Sequence, residues 1–254
     1  MRKENIVKDK PKNTLGIIGF GQFSCFFIPY LKPYFSKICV SSRSNKRGAA
    51  LRLGVDFVSN REAARQDVVM LSVPISQIEN VLREIKNEIL PGTLVMDVCS
   101  VKVYPVKLMK RFLGKKVNII GTHPLFGPQS GKRGIKGLEI VICPARVDDK
   151  TLKDIRNMFL SMSLKVILTT PTKHDKIMAS TQALTHFFAK GVIKTIDARN
   201  FEFSTPSSRK LFDIINDVRE DSPALFRDIE TLNPYSKSMR KRLLSNFNKL
   251  NKKL

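Results

Sequence analysis

Long apolar runs are missing from this chain of 254 residues. None approaches the roughly 18 to 20 residues that a membrane-spanning helix requires, so no membrane partner is expected. The first 13 residues carry charges of both signs and no apolar stretch. They read as neither a secretory signal nor an acid-free transit peptide, and the expectation is a cytoplasmic protein with a short flexible arm over residues 1–13. Cysteine is scarce: Cys25, Cys39, Cys99 and Cys143 lie far apart, each in or beside an apolar segment. No C-x-x-C pair or Cys/His cluster has zinc-like spacing, so no metal site is expected and the thiols read as buried groups in a reducing compartment. Acid is in short supply as well, with 22 Asp and Glu against 45 Lys and Arg and a net charge of +23. Such an excess can mark a nucleic-acid or anionic-membrane partner. Here the cations are spread through the whole chain, with modest clusters at residues 2–12 and 240–253. With no RNA-binding signature, zinc finger or aromatic-basic platform, no specific nucleic acid is expected, and the positive field would instead draw in small, multiply charged anions.

What is present has an ordinary globular balance, 42% apolar and 26% charged. Nearly continuous apolar runs at residues 14–20, 37–41, 67–73, 93–98, 117–121, 138–143 and 165–168 predict strands buried on both faces. Helical segments alternate with them, for instance at 75–90 and 149–162. That alternation predicts an α/β domain, Rossmann-like and doubly wound around a mostly parallel sheet, over residues 14–170. From Pro171 the strand signal stops, and residues 174–198, 207–219, 223–232 and 234–250 read as helices. Pro223 and Pro234 suit first-turn positions behind the capping residues Ser222 and Asn233. Residues 171–254 are therefore expected to form a smaller all-helical domain for substrate binding and dimerisation. Within it, the 177–196 segment is apolar on the Ile177, Leu184, Phe188 stripe and small-apolar opposite, which predicts burial against a second copy.

Gly19-Phe20-Gly21-Gln22-Phe23-Ser24 follows directly on the first strand. In that context Gly19 permits a tight turn, and Gly21 lets a pyrophosphate approach the backbone N–H groups of the helix that opens with Gln22 and Phe23. The third glycine position holds Ser24, expected to loosen the helix–strand packing slightly. A second strand that binds NAD would end in a carboxylate for the ribose hydroxyls. This one runs into Ser41-Ser42-Arg43-Ser44, whose hydroxyls and guanidinium can donate to a 2′-phosphate, so NADP is the expected cofactor, with NAD as the alternative.

Two further segments sit at predicted strand ends, where ligands meet an open parallel sheet. They are Asp97-Val98-Cys99-Ser100-Val101-Lys102 and Gly121-Thr122-His123-Pro124-Leu125-Phe126-Gly127-Pro128. Together with the glycine turn, Gln129-Ser130-Gly131, His174-Asp175, Gln182-Ala183-Leu184-Thr185-His186-Phe187, Leu225-Phe226-Arg227-Asp228-Ile229 and Asn233-Pro234-Tyr235, they carry a resemblance to the prephenate and arogenate dehydrogenase family. The ordered matches run from about residue 14 to 235, and H-P-x-F-G-P is the most specific of them.

The resemblance implies an oxidative decarboxylation of prephenate or arogenate on the route to tyrosine, to which the residue readings above add NADP and a homodimer built through the helical domain. It implies that His123 receives the proton of the ring hydroxyl while Ser100 holds imidazole and hydroxyl in register. His186 is implied in the substrate pocket and Arg227 on a substrate carboxylate. Lys102 is expected near the anionic ligand or as a support of the strand-end turn. His174 and Asp175 read as a helix start. On an ideal helix His174 and His186 lie roughly 18 Å apart along the axis and about 120° around it, so they do not share a metal. No chorismate-mutase-like segment or regulatory domain is discerned, and a monofunctional enzyme is expected. Two other readings stay open: another NADP-linked hydroxy-acid dehydrogenase of the same two-domain plan, and a dehydrogenase-like protein turned nucleic-acid-binding module.

Overall fold

In a computed structural model, residues 13–195, 203–219 and 221–254 are described. The expected arm over residues 1–13, apart from Asn13, and the last residues of the 174–198 and 177–196 segments lie outside them. The chain opens β1 (Thr14–Ile18), α1 (Gln22–Leu31), β2 (Lys37–Ser41), α2 (Arg47–Arg52), β3 (Asp56–Phe57), α3 (Asn60–Ala64) and β4 (Val68–Leu71). It continues α4 (Ile78–Ile85), β5 (Leu94–Asp97), α5 (Val103–Phe112), β6 (Asn118–Pro124), β7 (Glu139–Arg146), α6 (Asp149–Ser161) and β8 (Lys165–Leu168). One sheet takes all eight strands in the order β3-β2-β1-β4-β5-β6-β7-β8. Every neighbouring pair is parallel except β6 with β7, so β7 and β8 run against the rest.

The continuous apolar strands have a simple cause. Ile17, Met70, Met96 and Ile120 enter one core cluster, while their neighbours Ile18, Val69, Val95 and Ile119 enter another on the opposite face. Successive side chains of a strand point to opposite faces, and both faces are covered by helices, so the strand middles are apolar and buried polar groups such as Ser41, Asp97, Thr122 and His123 stand toward the carboxyl ends. Three cysteines, Cys39, Cys99 and Cys143, are buried as free thiols, and Cys25 is half-buried.

The remainder is helical: α7 (Pro171–Met178), a π-helical turn (Ala179–Ala183), α8 (Leu184–Thr195), α9 (Pro206–Arg219), α10 (Pro223–Leu232) and α11 (Ser236–Asn251). Two sequence expectations shift here. The long helix starts at Pro171 rather than His174, because the Thr170 hydroxyl accepts from Lys173 N–H and Pro171 takes the first-turn position. The last helix starts at Ser236 rather than Pro234, because the Asn233 side-chain carbonyl accepts from Tyr235 N–H at 2.9 Å and makes a turn of the two residues between. Ser222 caps α10 as expected.

The helical part is tied to the sheet by polar contacts. The Asp228 carboxylate accepts from Ser76 N–H at 3.1 Å and from its hydroxyl at 3.2 Å, and within the helical part Asn233 Nδ2 donates to Asp175 O at 2.9 Å. Its own buried apolar cluster is small, Ala189, Ile215 and Val218.

Candidate active site

The first cavity lies over the turn between β1 and α1. Gly19 has φ 106°, and a Cβ there would stand 2.3 Å from the Ser72 carbonyl oxygen, so only glycine closes this turn. Gly21 precedes α1, and a Cβ built on it meets nothing within 4 Å. The space in front of the helix N-terminus is therefore open to a phosphate group. Ser24 corrects the sequence reading: it is fully buried, and its hydroxyl donates to Gly19 O at 2.6 Å and lies 2.8 Å from Ser72 Oγ, so it stitches the turn instead of loosening it.

This cleft holds about 420 Å³, and Gly19, Gly21, Ser42, Arg43, Ser44 and Lys46 line it. Ser41 is turned away, its hydroxyl donating to Asn60 Oδ1 at 2.8 Å, while Asn60 Nδ2 donates to Glu84 at 2.8 Å. Lys46, which the motif reading passed over, donates to Phe20 O at 2.8 Å within the same cleft. Its signal was its place, three residues after Arg43 on a loop already assigned to the cofactor. The open cradle at Gly21 and the cationic loop fit a nicotinamide dinucleotide.

The second cavity, about 900 Å³, opens between the strand ends and the helical domain. Gln22 and Phe23 line it rather than the first, which puts the start of α1 at the junction of the two. β6 brings His123 there because its antiparallel pairing with β7 continues past the end of its parallel pairing with β5. Asp97 of β5 pairs with Gly121, whereas Thr122, His123 and Pro124 run on against Ile142, Val141 and Ile140. Ser100, three residues beyond β5, reaches the same cavity.

From the helical side come Met178, Thr181, Gln182, Thr185 and His186. Their spacing of three and four residues is that of one helical face, and the π turn at Ala179–Ala183 lies within it. Asp221 and Leu225, flanking the start of α10, complete that wall.

His123 is 4% exposed, and burial holds its imidazole well below the ordinary range, with smaller contributions from His174 and Lys102. Burial also lowers His174, against an opposing hydrogen bond from Asp175. His186 Nε2 lies 3.5 Å from Asp221 Oδ2. Burial lowers His186 and raises Asp221, and their mutual attraction offsets part of each effect. His186 Nδ1 and Gln182 Oε1 are buried with no hydrogen-bond partner among the described residues. A buried acceptor or donor left unmatched in a cavity wall is a position where a ligand can complete the bonding.

Four expectations are corrected by this geometry. Lys102 is fully buried, its ammonium paired with Asp97 and donating to Thr122 O, so it supports the strand ends and is not among the residues lining the cavity. Arg227 is exposed and lies off the cavity, because Leu225 takes the inward position of α10 and residues two apart on a helix face different ways. Ser100 shares the cavity with His123, but no hydrogen bond joins them among the described residues. The ring is held instead by His174, whose Nε2 lies 2.9 Å from His123 Nδ1. His174 and Asp175 are thus part of the site and not merely a helix start. The Asp175 carboxylate accepts from Lys102 N–H at 2.7 Å and Val103 N–H at 2.8 Å, capping α5.

Comparison with known proteins agrees with this architecture. Residues 33–168 match the family model described as prephenate dehydrogenase, nucleotide-binding domain, and residues 170–254 match that of the prephenate dehydrogenase dimerization domain. The glycine turn lies outside the first match, so the cofactor cleft rests on the geometry above. A protein of Methanocaldococcus jannaschii named probable arogenate/prephenate dehydrogenase is 31% identical over 239 residues, 89% of this chain and 53% of its own length. Arogenate dehydrogenase 2, chloroplastic, of Arabidopsis thaliana is 30% identical over 249 residues, 94% of this chain and 69% of its own. The chain thus spans about half the length of the archaeal relative. Among solved structures, prephenate dehydrogenase from Aquifex aeolicus in complex with hydroxyphenyl propionate and NAD+ superposes with a TM-score of 0.78 at 20% identity, over 96% of this chain and 91% of that one. That structure speaks to the fold, and the two domain matches to descent: the chain belongs to the prephenate dehydrogenase family, carrying its nucleotide-binding and dimerization domains in that order.

Proposed function

We propose that the protein oxidatively decarboxylates arogenate or prephenate on the route to tyrosine, with NADP preferred over NAD. The observation that carries this reading is the buried imidazole of His123 in a cavity that meets the glycine-turn helix through Gln22 and Phe23. A nicotinamide dinucleotide bound in the neighbouring cleft supplies the hydride acceptor. His123 takes the proton of the ring hydroxyl as the carbinol carbon gives up its hydride. The bond to the ring carboxylate then breaks, its electron pair enters the ring, and CO₂ leaves. The aromatic oxygen recovers a proton, so His123 ends as it began. An imidazole kept neutral by burial is suited to accept at neutral pH. Ser100, which lines the same cavity and has no side-chain hydrogen bond among the described residues, is proposed to hold the substrate hydroxyl.

The preference for NADP is supported by Ser42, Arg43, Ser44 and Lys46, which offer hydroxyls and cations where a ribose-binding carboxylate would stand. Glu84, the one carboxylate lining that cleft among the described residues, is already held by Asn60. Arogenate is proposed as the better substrate of the two. Its side chain carries an ammonium where prephenate carries a keto group, and the cavity wall offers the Asp221 carboxylate and the unmatched Gln182 carbonyl as acceptors. Similarity to the Arabidopsis protein named arogenate dehydrogenase supports the same choice.

A homodimer through the helical domain is part of the proposal. Ile177, Ile214, Leu244, Phe247 and Leu250 stay exposed there above a small core.

The test is turnover at 340 nm with each substrate and each dinucleotide. Arogenate with NADP should be fastest, and His123→Asn should lower turnover by about 10² to 10⁴ while dinucleotide binding is kept. Turnover of neither substrate, or near-parental turnover in the variant, refutes the reading.

A further inference from the structure

Behind His123 a hydrogen-bonded chain runs from imidazole to imidazole to carboxylate. His123 Nδ1 lies 2.9 Å from His174 Nε2, and His174 Nδ1 lies 2.7 Å from Asp175 Oδ1. All three side chains are buried. The direction of the protons follows from the far end. Asp175 Oδ1 and Oδ2 already accept backbone N–H groups from Lys102 and Val103, and a carboxylate offers acceptors only. The proton between Asp175 and His174 therefore sits on His174 Nδ1. A neutral imidazole carries one N–H, so His174 Nε2 presents a lone pair, and the bond between the rings must be donated by His123 Nδ1–H. Nε2 of His123 is then the nitrogen without a proton, in a ring that lines the substrate cavity.

We infer that His174 and Asp175 are positioning residues that lock His123 in its Nδ1–H tautomer, holding the Nε2 lone pair ready for the hydroxyl proton of the substrate. The inference deepens the proposed function and rests on it for the role of His123. It gives a purpose to a dipeptide that the chemistry otherwise leaves idle. On consecutive positions of α7, His174 reaches the end of β6 while Asp175 anchors the start of α5, so two elements of the sheet domain fix the relay.

The ring planes meet at 71° with centroids 5.1 Å apart, edge toward face, and a flip of the His123 ring would break the bond. When Nε2 takes up the substrate proton, Nδ1–H goes on donating to His174 and Asp175 faces the new charge through it. No second proton has to move. The other charged or titratable groups around the two rings are Lys102, already paired with Asp97, and, across the cavity, His186 and Asp221.

The experiment reads the tautomer directly and needs no substrate. The protein has three histidines, so a ¹⁵N-histidine-labelled sample of the full chain is assigned by comparison with His123→Asn. The expected spectrum at neutral pH has His123 protonated at Nδ1 and bare at Nε2. A spectrum with the proton on Nε2 overturns the inference, whatever the protein turns over. In the activity arm, His174→Phe, which removes the acceptor, should lower kcat by about tenfold to 10²-fold with KM within threefold. His174→Gln, whose side-chain carbonyl can take the place of Nε2, should recover most of the loss. Equal kcat in parent, His174→Phe and His174→Gln overturns the positioning role. Should either variant fail to fold, the spectrum of the parent still decides. A parent that turns over neither substrate but shows the expected tautomer refutes the proposed reaction and leaves the relay standing.

Discussion

Replacing Lys102 by Met takes the cation out of an ion pair that has no access to water. Lys102 and Asp97 are both fully buried, the ammonium bonds Asp97 Oδ2 and Thr122 O, and Asp97 Oδ1 has no partner among the described residues. Met fills the space of the aliphatic stem but leaves the carboxylate stranded, with only Cys99 N–H donating to Oδ2 at 3.0 Å. Breaking a buried pair from one side costs about 3 to 5 kcal/mol. For a chain of this size that lowers Tm by roughly 6 to 20 °C. Asp97→Asn removes the stranded charge, so the double variant should be less destabilised than the two single losses combined. Guanidinium unfolding of the parent, both single variants and the double variant gives the cycle, and KM for the substrate is measured on every variant that folds. Lys102→Met with the parental midpoint and a raised KM would mean that the ammonium reaches the ligand, and the structural assignment would be wrong.

Arg43→Ala should weaken NADP by about 1 to 3 kcal/mol and NAD hardly at all, as the loss of one charge-assisted contact requires; equal weakening in titrations of both would exclude a 2′-phosphate contact. Asp221→Asn should lower kcat/KM for arogenate by about tenfold to 10²-fold and leave prephenate within threefold, and an equal fall for both substrates would show that the carboxylate does not read the side-chain ammonium. Burial holds His123, His174 and His186 below the ordinary imidazole range, so the unfolded chain takes up protons below about pH 6.5 that the folded chain resists. Folded stability should therefore decline as pH falls from about 6.5 toward 5, and an unfolding midpoint flat across that window would contradict the three burials together. Light scattering at micromolar concentration should give twice the chain mass of 28.8 kDa, and a monomer would mean that the exposed apolar residues of α7, α9 and α11 serve something other than self-association.

Much of the sheet domain was legible because its signals are local. Strand positions followed from apolar runs, the turn at Gly19 and Gly21 from residues adjacent in sequence, and the cap at Ser222 from its place before Pro223. Strand edges moved where pairing differed from expectation. β6 was expected to stop near Gly121 and runs to Pro124, since β7 returns antiparallel and supplies partners beyond the end of β5. The two-residue β3 went unread because so short a run has no period. Arg227 was placed on a substrate carboxylate by resemblance and Lys102 was left between the ligand and the strand-end turn, because neither a motif match nor charge says on which side of a helix or strand end a side chain stands.

The sequence by itself determined the alternation of strands and helices, the dinucleotide turn and the strand-end serine and histidine, because each is encoded within a few consecutive residues. Tertiary structure alone decided which groups meet. His174 touches His123 across 51 residues, and Asp228 caps the Ser76 turn across 152. Gln182 and His186, four residues apart, share a helical face by spacing alone, but which cavity that face lines was settled only in three dimensions. Such juxtapositions are fixed by how the helical domain docks against the carboxyl ends of the strands. Docking is set by the packing of whole faces rather than by any short segment, and no period along the chain records it.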